Sequence, residues 1–162
     1  MRRDEVLLPD GSQAGREVVE HPGGVCVAAL TENDEVLFVR QFRYPYGEEV
    51  LEIPAGKRDR GEADPLDCGK RELLEETGAT AENFFSLGRL YPTPGYTNEV
   101  IYMYGATGLS FGESCPDEDE FLTLERIPLE AAVDMVMSGA LPDAKTQTCI
   151  LKLWKLRCEG KI

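Results

Sequence analysis

From Gly56 to Ala79 the chain reads GKRDRGEADPLDCGKRELLEETGA, a glycine-bearing loop that runs into a short helical pattern. Glu72, Glu75 and Glu76 stand three and four residues apart, so a 3.6-residue helix places them on one face. Leu73 and Leu74 then turn away from that face and are expected in a core. Like charges at helical spacing cost stability, and a cation among them removes the cost. Ligands that are all oxygen select a hard ion such as Mg²⁺ or Mn²⁺. An acidic helix face in a chain of net charge −13 is ordinarily solvated surface. Here three neighbours argue for more. Arg71 lies four residues before Glu75 and can pair with it. Gly78 stands where a left-handed cap ends a helix. Pro54-Ala55-Gly56 brings bare backbone close, and Glu62 adds an acid to the loop. The helix reads as a metal platform.

These residues resemble the Nudix box, Gly-x5-Glu-x7-Arg-Glu-U-x-Glu-Glu-x-Gly-U, where U is aliphatic. Gly56, Glu62, Arg71, Glu72, Leu73, Glu75, Glu76 and Gly78 match by type, and Ala79 stands in for the last aliphatic residue. Eight residues rather than seven separate Glu62 from Arg71, with the extra one in the Ala63-Asp64-Pro65 stretch ahead of the helix. Arg71 to Gly78 stay in register.

At 162 residues the chain has the length of one domain with its own core. The acidic balance, with no basic stripe, argues against a nucleic-acid groove. Five cysteines without a C-x-x-C pair suggest free thiols in a reducing cytoplasm, with Cys26 and Cys149 as small core residues. No signal peptide or membrane-length apolar run is present.

Around the box the pattern is mostly strand. Val6-Leu7-Leu8 and Glu17-Val18-Val19 flank a Pro9-Asp10-Gly11-Ser12 turn, and Val25–Leu30 and Glu35–Gln41 read as a hairpin about Asn33-Asp34. His21, the one histidine, has no neighbouring partner and reads as structural or surface. Arg40 and Arg43 lie among aromatics as either solvated strand-end arginines or phosphate and base contacts. Glu52 projects from a strand beside Ala55. A further strand from Phe84 to Leu90 precedes a Pro94-Gly95 turn, and Val100–Thr107 alternates as the next. Glu113 to Glu120 is acidic and reads on composition as a solvated loop. Leu129–Ser138 forms a helix closed by Gly139. Asp143 caps the last helix, on which Ala144, Thr148, Leu151 and Trp154 make a core stripe.

Within the Nudix superfamily the chain is similar to the ADP-ribose pyrophosphatases. Pro94 falls sixteen residues beyond Gly78, where that group has a marker proline. Pro94-Gly95 through Glu99 resembles the group's Ser-Pro-Gly-x-x-x-Glu segment with Thr93 at the serine. Asp143-Ala144-Lys145-Thr146 resembles its C-terminal segment. The resemblance runs from about Val18 to Leu156 and implies an α/β/α sandwich, a mixed curved sheet between helices. It implies hydrolysis of ADP-ribose to AMP and ribose 5-phosphate, with Glu72, Glu76 and the Ala55 carbonyl holding Mg²⁺ ions. Glu75 pairs with Arg71 or reaches a metal through water. Glu120, with Glu118 as second choice, is the base for the attacking water, placed by reading Leu122 and Leu124 as the apolar face of the following strand. Arg43 and Glu52, with Arg40, Pro94 and Gly95, are the expected substrate contacts. A homodimer is implied whose N-terminal strands reach the neighbouring site, although only twenty residues precede His21. Another nucleoside diphosphate sugar such as GDP-mannose, or a domain that senses ADP-ribose without cutting it, are the alternatives.

Overall fold

The computed structural model describes residues 1–58, 64–112 and 122–162. Nine strands and three helices alternate through them: β1 (Arg2–Leu7), β2 (Gln13–Val18), β3 (Gly24–Ala29), β4 (Glu35–Arg43), β5 (Glu48–Glu52), β6 (Ala55–Lys57), α1 (Pro65–Thr77), β7 (Ala79–Leu90), β8 (Ile101–Phe111), β9 (Thr123–Pro128), α2 (Leu129–Ser138) and α3 (Ala144–Cys158).

β3 organises the whole. All six of its residues are buried, as expected of a strand covered on both faces. It pairs with β8 in parallel and β6 antiparallel, within the sheet order β6-β3-β8-β7. Its alternate side chains enter two separate cores. Val27 and Ala29 pack with Leu73 of α1 on one face, while Cys26 and Ala28 pack with Ala132 of α2 and Cys149, Ile150 and Leu153 of α3 on the other. A mixed α/β/α arrangement results. α1 comes close because Gly69 faces the Val25 and Val27 methyl groups, where an added Cβ would approach to 3.1 and 3.3 Å.

The hairpin expected between β3 and β4 does not form. Only Leu30 and Val36 bridge across the turn at Asp34, whose φ is 57°. Beyond it the strands part, and β4 takes β5 and β9 as partners in a second, antiparallel sheet. Two strands apolar on both faces each need a hydrogen-bonding neighbour on either edge, and each finds two in its own sheet. β1 and β2 make the expected antiparallel ribbon, longer than the apolar runs alone suggest.

The expected stripe on α3 is out of phase. Lys145, Thr146, Cys149, Ile150 and Leu153 are buried, whereas Leu151 is exposed. Among the described residues no helix is long and apolar enough to cross a membrane.

Candidate active site

α1 is fixed at both ends by its own sequence. The Asp64 side chain accepts from the Leu66 amide at 2.9 Å, Pro65 occupies the first turn, and Gly78 closes the helix at φ 69° with its amide donating to the Leu74 carbonyl. Held this way, the helix turns Glu72 and Glu76 inward against β6, and they are only 8% and 5% exposed. Glu76 Oε2 accepts from the Ala55 amide at 3.0 Å. Glu72 lies so close to Gly56 that an added Cβ would fall within its carboxyl group. A side chain at position 56 would push the Glu72 carboxyl out of this position. Arg71 donates to Glu75 at 2.8 Å and also reaches Glu72 at 2.9 Å. Burial pulls the guanidinium down, but Glu72 and Glu75 more than restore it and push it above its ordinary value. Leu73 is buried as expected, but Leu74, expected in the core, is 42% exposed. It is next to Glu75 on the helix, on the side away from β3.

The donors here suit a hard divalent cation. Two buried carboxylates one turn apart lie against the backbone of Ala55 and Gly56, a set of oxygen donors of the kind a hard cation takes. Among the described residues no three His, Cys, Asp or Glu side chains form a cage by themselves. A cation would therefore draw on the Ala55 and Gly56 backbone as well. Glu62, Glu118 and Glu120 lie outside the described residues. The alternation used to place Glu120 is not followed at Leu124, which is 39% exposed; the inward residue of β9 that packs on the core is Ile127.

A further buried acid belongs to the second sheet. Glu52, 2% exposed at the end of β5, accepts from Arg43 Nε at 2.6 Å and Nη2 at 2.8 Å. It also accepts from Lys145 Nζ. Lys145 reaches Asp143 at 3.0 Å as well. Burial pushes the Glu52 carboxyl up, yet the two cations outweigh it and leave it below its ordinary value. Lys145 is treated in the same way: burial lowers it, and Asp143 and Glu52 raise it further. Asp143 caps α3 by accepting from the Thr146 amide at 2.9 Å and the Thr146 hydroxyl at 2.6 Å, and that hydroxyl accepts from the Ile53 amide at 3.1 Å. The segment 143–146 thus staples the start of α3 to the end of β5. The segment and its cap are legible in the sequence, but the task of Lys145 is not. Its signal was a lysine on the core side of a helix two residues after the cap.

Arg43 and Lys145 border two clefts. One, of ≈ 200 Å³, is lined by His21, Ala55, Gly56, Lys57 and Glu99; the other, of ≈ 350 Å³, by Tyr46, Val50, Pro92, Thr93 and Pro142. His21 therefore belongs to the site and is not simply surface. Its Nδ1 lies 3.5 Å from Glu99 and accepts from the Gly23 amide at 3.2 Å, and its own amide donates to Asn98 at 2.8 Å. Asn98 and Glu99 are far off in sequence, which is why neither was visible. Arg40 is not brought to Arg43. The two are three residues apart on β4, hence on opposite faces, and Arg40 pairs with Glu125 at 2.7 Å. Pro94 and Gly95 are exposed on the turn. Gly95 borders a different cleft with Arg3 and Arg16, while Pro92 and Thr93 of the same loop face the site. The Val19 amide donates to the Tyr96 carbonyl at 2.7 Å and holds the loop.

Comparison with known proteins agrees with this geometry. The NUDIX domain model matches residues 20–147. The chain is 40% identical to an ADP-ribose pyrophosphatase of Bacillus subtilis over 91% of its own length and 80% of that protein. It is 41% identical to a methanol dehydrogenase activator of Bacillus methanolicus, over 88% of this chain and 78% of that one. A crystal structure of an ADP compounds hydrolase superposes with a TM-score of 0.83 at 21% identity, covering 98% of this chain and 86% of the other, and shares the fold. With the glutamate-bearing helix, the glycine it closes on and the caps that aim it all in place, the chain belongs to the Nudix hydrolase family.

Proposed function

We propose that this protein hydrolyses the pyrophosphate bond of ADP-ribose, giving AMP and ribose 5-phosphate, with Mg²⁺ or Mn²⁺ bound at Glu72, Glu76 and the backbone of Ala55. The observation that carries the reading is a cleft bordered by Arg43, Lys57 and Lys145, gathered in a chain of net charge −13, whose Ala55 and Gly56 backbone lies directly against the buried carboxylates Glu76 and Glu72 of α1. A diphosphate is the kind of ligand that needs both, cations for its oxygens and carboxylates to hold the ion that accompanies it. The similarity to a protein named ADP-ribose pyrophosphatase supports the choice of nucleoside and sugar.

The divalent ion, when bound, supplies positive charge to phosphate oxygens and makes a water more acidic. The protein's own residues do the rest. Arg71 orients Glu72 and Glu75, so the carboxylates meet the ion in one geometry. Arg43 presents a guanidinium to the diphosphate, a planar donor suited to phosphate oxygens. Glu120, with Glu118 next to it in preference, takes the proton of the attacking water as general base. A homodimer in the cytoplasm completes the proposal; the four described cysteines are free thiols, which supports a reducing compartment.

The test is product analysis with Mg²⁺ across ADP-ribose, GDP-mannose, NADH and a deoxynucleoside triphosphate. AMP and ribose 5-phosphate formed fastest from ADP-ribose, and lost in Glu76→Gln, is the expected result. Faster cleavage of GDP-mannose would keep the metal helix and overturn the substrate. Binding of ADP-ribose without turnover would overturn the hydrolase assignment.

A further inference from the structure

The reaction proposed above uses Arg43 at the diphosphate but leaves a buried lysine unexplained. Lys145 is 8% exposed, a place where lysine is rare unless paired. Its partner Glu52 already has two bonds from Arg43, through Nε and Nη2. A single bidentate arginine would satisfy that carboxylate, and the helix staple is made by Asp143 and Thr146 without the ammonium. Lys145 therefore does something that neither the cap nor the Arg43–Glu52 pair requires.

We propose that Lys145 is a positioning residue for substrate: it holds Glu52 from behind, so that Glu52 fixes the Nε and Nη2 edge of Arg43 and turns the remaining Nη1 donors toward the diphosphate. The geometry supports each link. The Arg43 guanidinium has five N–H donors in a rigid fork, and an arginine gripped along one edge can aim only the other. Arg43 and Lys145 are the two cations common to both clefts, so they sit where a ligand lying across both would pass. Charge works in the same direction. With Glu52 shared between two cations, Arg43 is left less neutralised by its own partner. Asp143 also meets Lys145 at 3.0 Å, but the same Oδ2 is shared with the Thr146 amide and hydroxyl at the start of α3, where the helix terminus favours its charge. Glu48 and Glu52 are the other acids on this cleft, and Glu48 lies at the exposed end of β5.

The inference rests on the diphosphate reading, and the experiment separates the two. Steady-state ADP-ribose hydrolysis would be measured for the wild type, Lys145→Met, Arg43→Lys and the double variant, with Thr146→Val as a control that weakens the same staple without touching Glu52. Lys145→Met is expected to raise KM roughly tenfold with kcat within about a factor of two, the mark of lost ground-state positioning. The double variant is expected to match Arg43→Lys alone, because two residues acting through one contact are not additive. Thr146→Val is expected to lower Tm and leave KM unchanged, and Lys145→Arg to recover part of the KM. Multiplying effects in the double variant, or a KM rise as large in Thr146→Val, would overturn the positioning role. Should Lys145→Met not fold, Lys145→Gln, which keeps a neutral donor beside Glu52 but no charge, replaces it in the same cycle with the same expected pattern. A wild type that neither cleaves nor binds ADP-ribose would remove the functional reading and this one together; a wild type that cleaves, with additive variants, would remove this one only.

Discussion

Buried glutamates occur in two places, Glu52 at the end of β5 and Glu72 with Glu76 on α1, and they are treated in opposite ways. Glu52 is surrounded by cations that the protein itself provides, Arg43 and Lys145, and its charge is settled within the fold. On α1, Glu72, Glu75 and Glu76 crowd into little more than one turn, and one guanidinium, Arg71, serves two of them. Burying a carboxylate is costly in either place. The first set offsets the cost with salt bridges and gains rigidity. The second keeps its charges crowded around one guanidinium, the arrangement that the proposed divalent ion would complete. A buried acid thus indicates a site only once its neighbours have been counted.

The contrast can be broken by removing one charge at a time. Glu52→Gln leaves Arg43 and Lys145 facing each other without their shared anion, and about 3–5 kcal/mol of stability is expected to go, as when one partner of a buried pair is removed. Thermal melts would show this directly, and an unchanged Tm would mean the two sets are not different in kind. Glu76→Gln is expected to do the reverse. Activity should fall on the order of a hundredfold or more, the scale of losing one electrostatic stabiliser, while Tm holds or rises because like charges on α1 are relieved. Chelation should abolish turnover in the wild type, and added Mg²⁺ should raise the wild-type Tm but not that of Glu76→Gln, since only a bound ligand stabilises by mass action.

pH sharpens the comparison with a smaller effect. Glu52 titrates below its ordinary value of 4.5 in the folded protein, so its contribution is complete above that value and fades as pH falls through the lowered one. Lys145 titrates above 10.5, so its share is complete below that and is lost as pH rises past its folded value. Denaturant midpoints followed from acid to alkali should slope at both limits in the wild type and flatten at the acid limit in Glu52→Gln. Smallest of all is Arg40→Ala. Its pair with Glu125 is part-exposed on the far face of β4, and a change of about 0.2–1 kcal/mol with no change in KM is expected. A raised KM there would return Arg40 to the site.

What could be read in advance was what is local. α1 shows its closing glycine, its acidic face and the Arg71–Glu75 pair within a few residues of sequence, and α2 shows its period and its closing glycine. What escaped depends on contacts between distant segments. His21 gains Glu99 and Asn98 only because the strand it precedes lies beside β8. Leu74 looks as apolar as Leu73, but only one of them faces β3. On α3 the true inward face begins with Lys145 and Thr146, polar residues that an apolar pattern passes over. Their polar ends are satisfied by Glu52 and Ile53, 93 residues earlier. The error of phase and the missed residue are therefore one error.

That staple also sets an order of events during synthesis. The end of β5 is made early, but the helix that supplies its ammonium and hydroxyl follows 93 residues later. Parallel pairing of β3 with β8 must wait in the same way, and such long closures are the slow part of folding. A nascent chain still on the ribosome can form α1 with its carboxylates aligned, yet hold Arg43 on a glutamate that lacks its second partner. Chains arrested with the final helix still inside the exit tunnel, and the same chains extended by a C-terminal linker that brings it out, should differ in protease resistance at β5, with the cleft around Arg43 maturing only in the second.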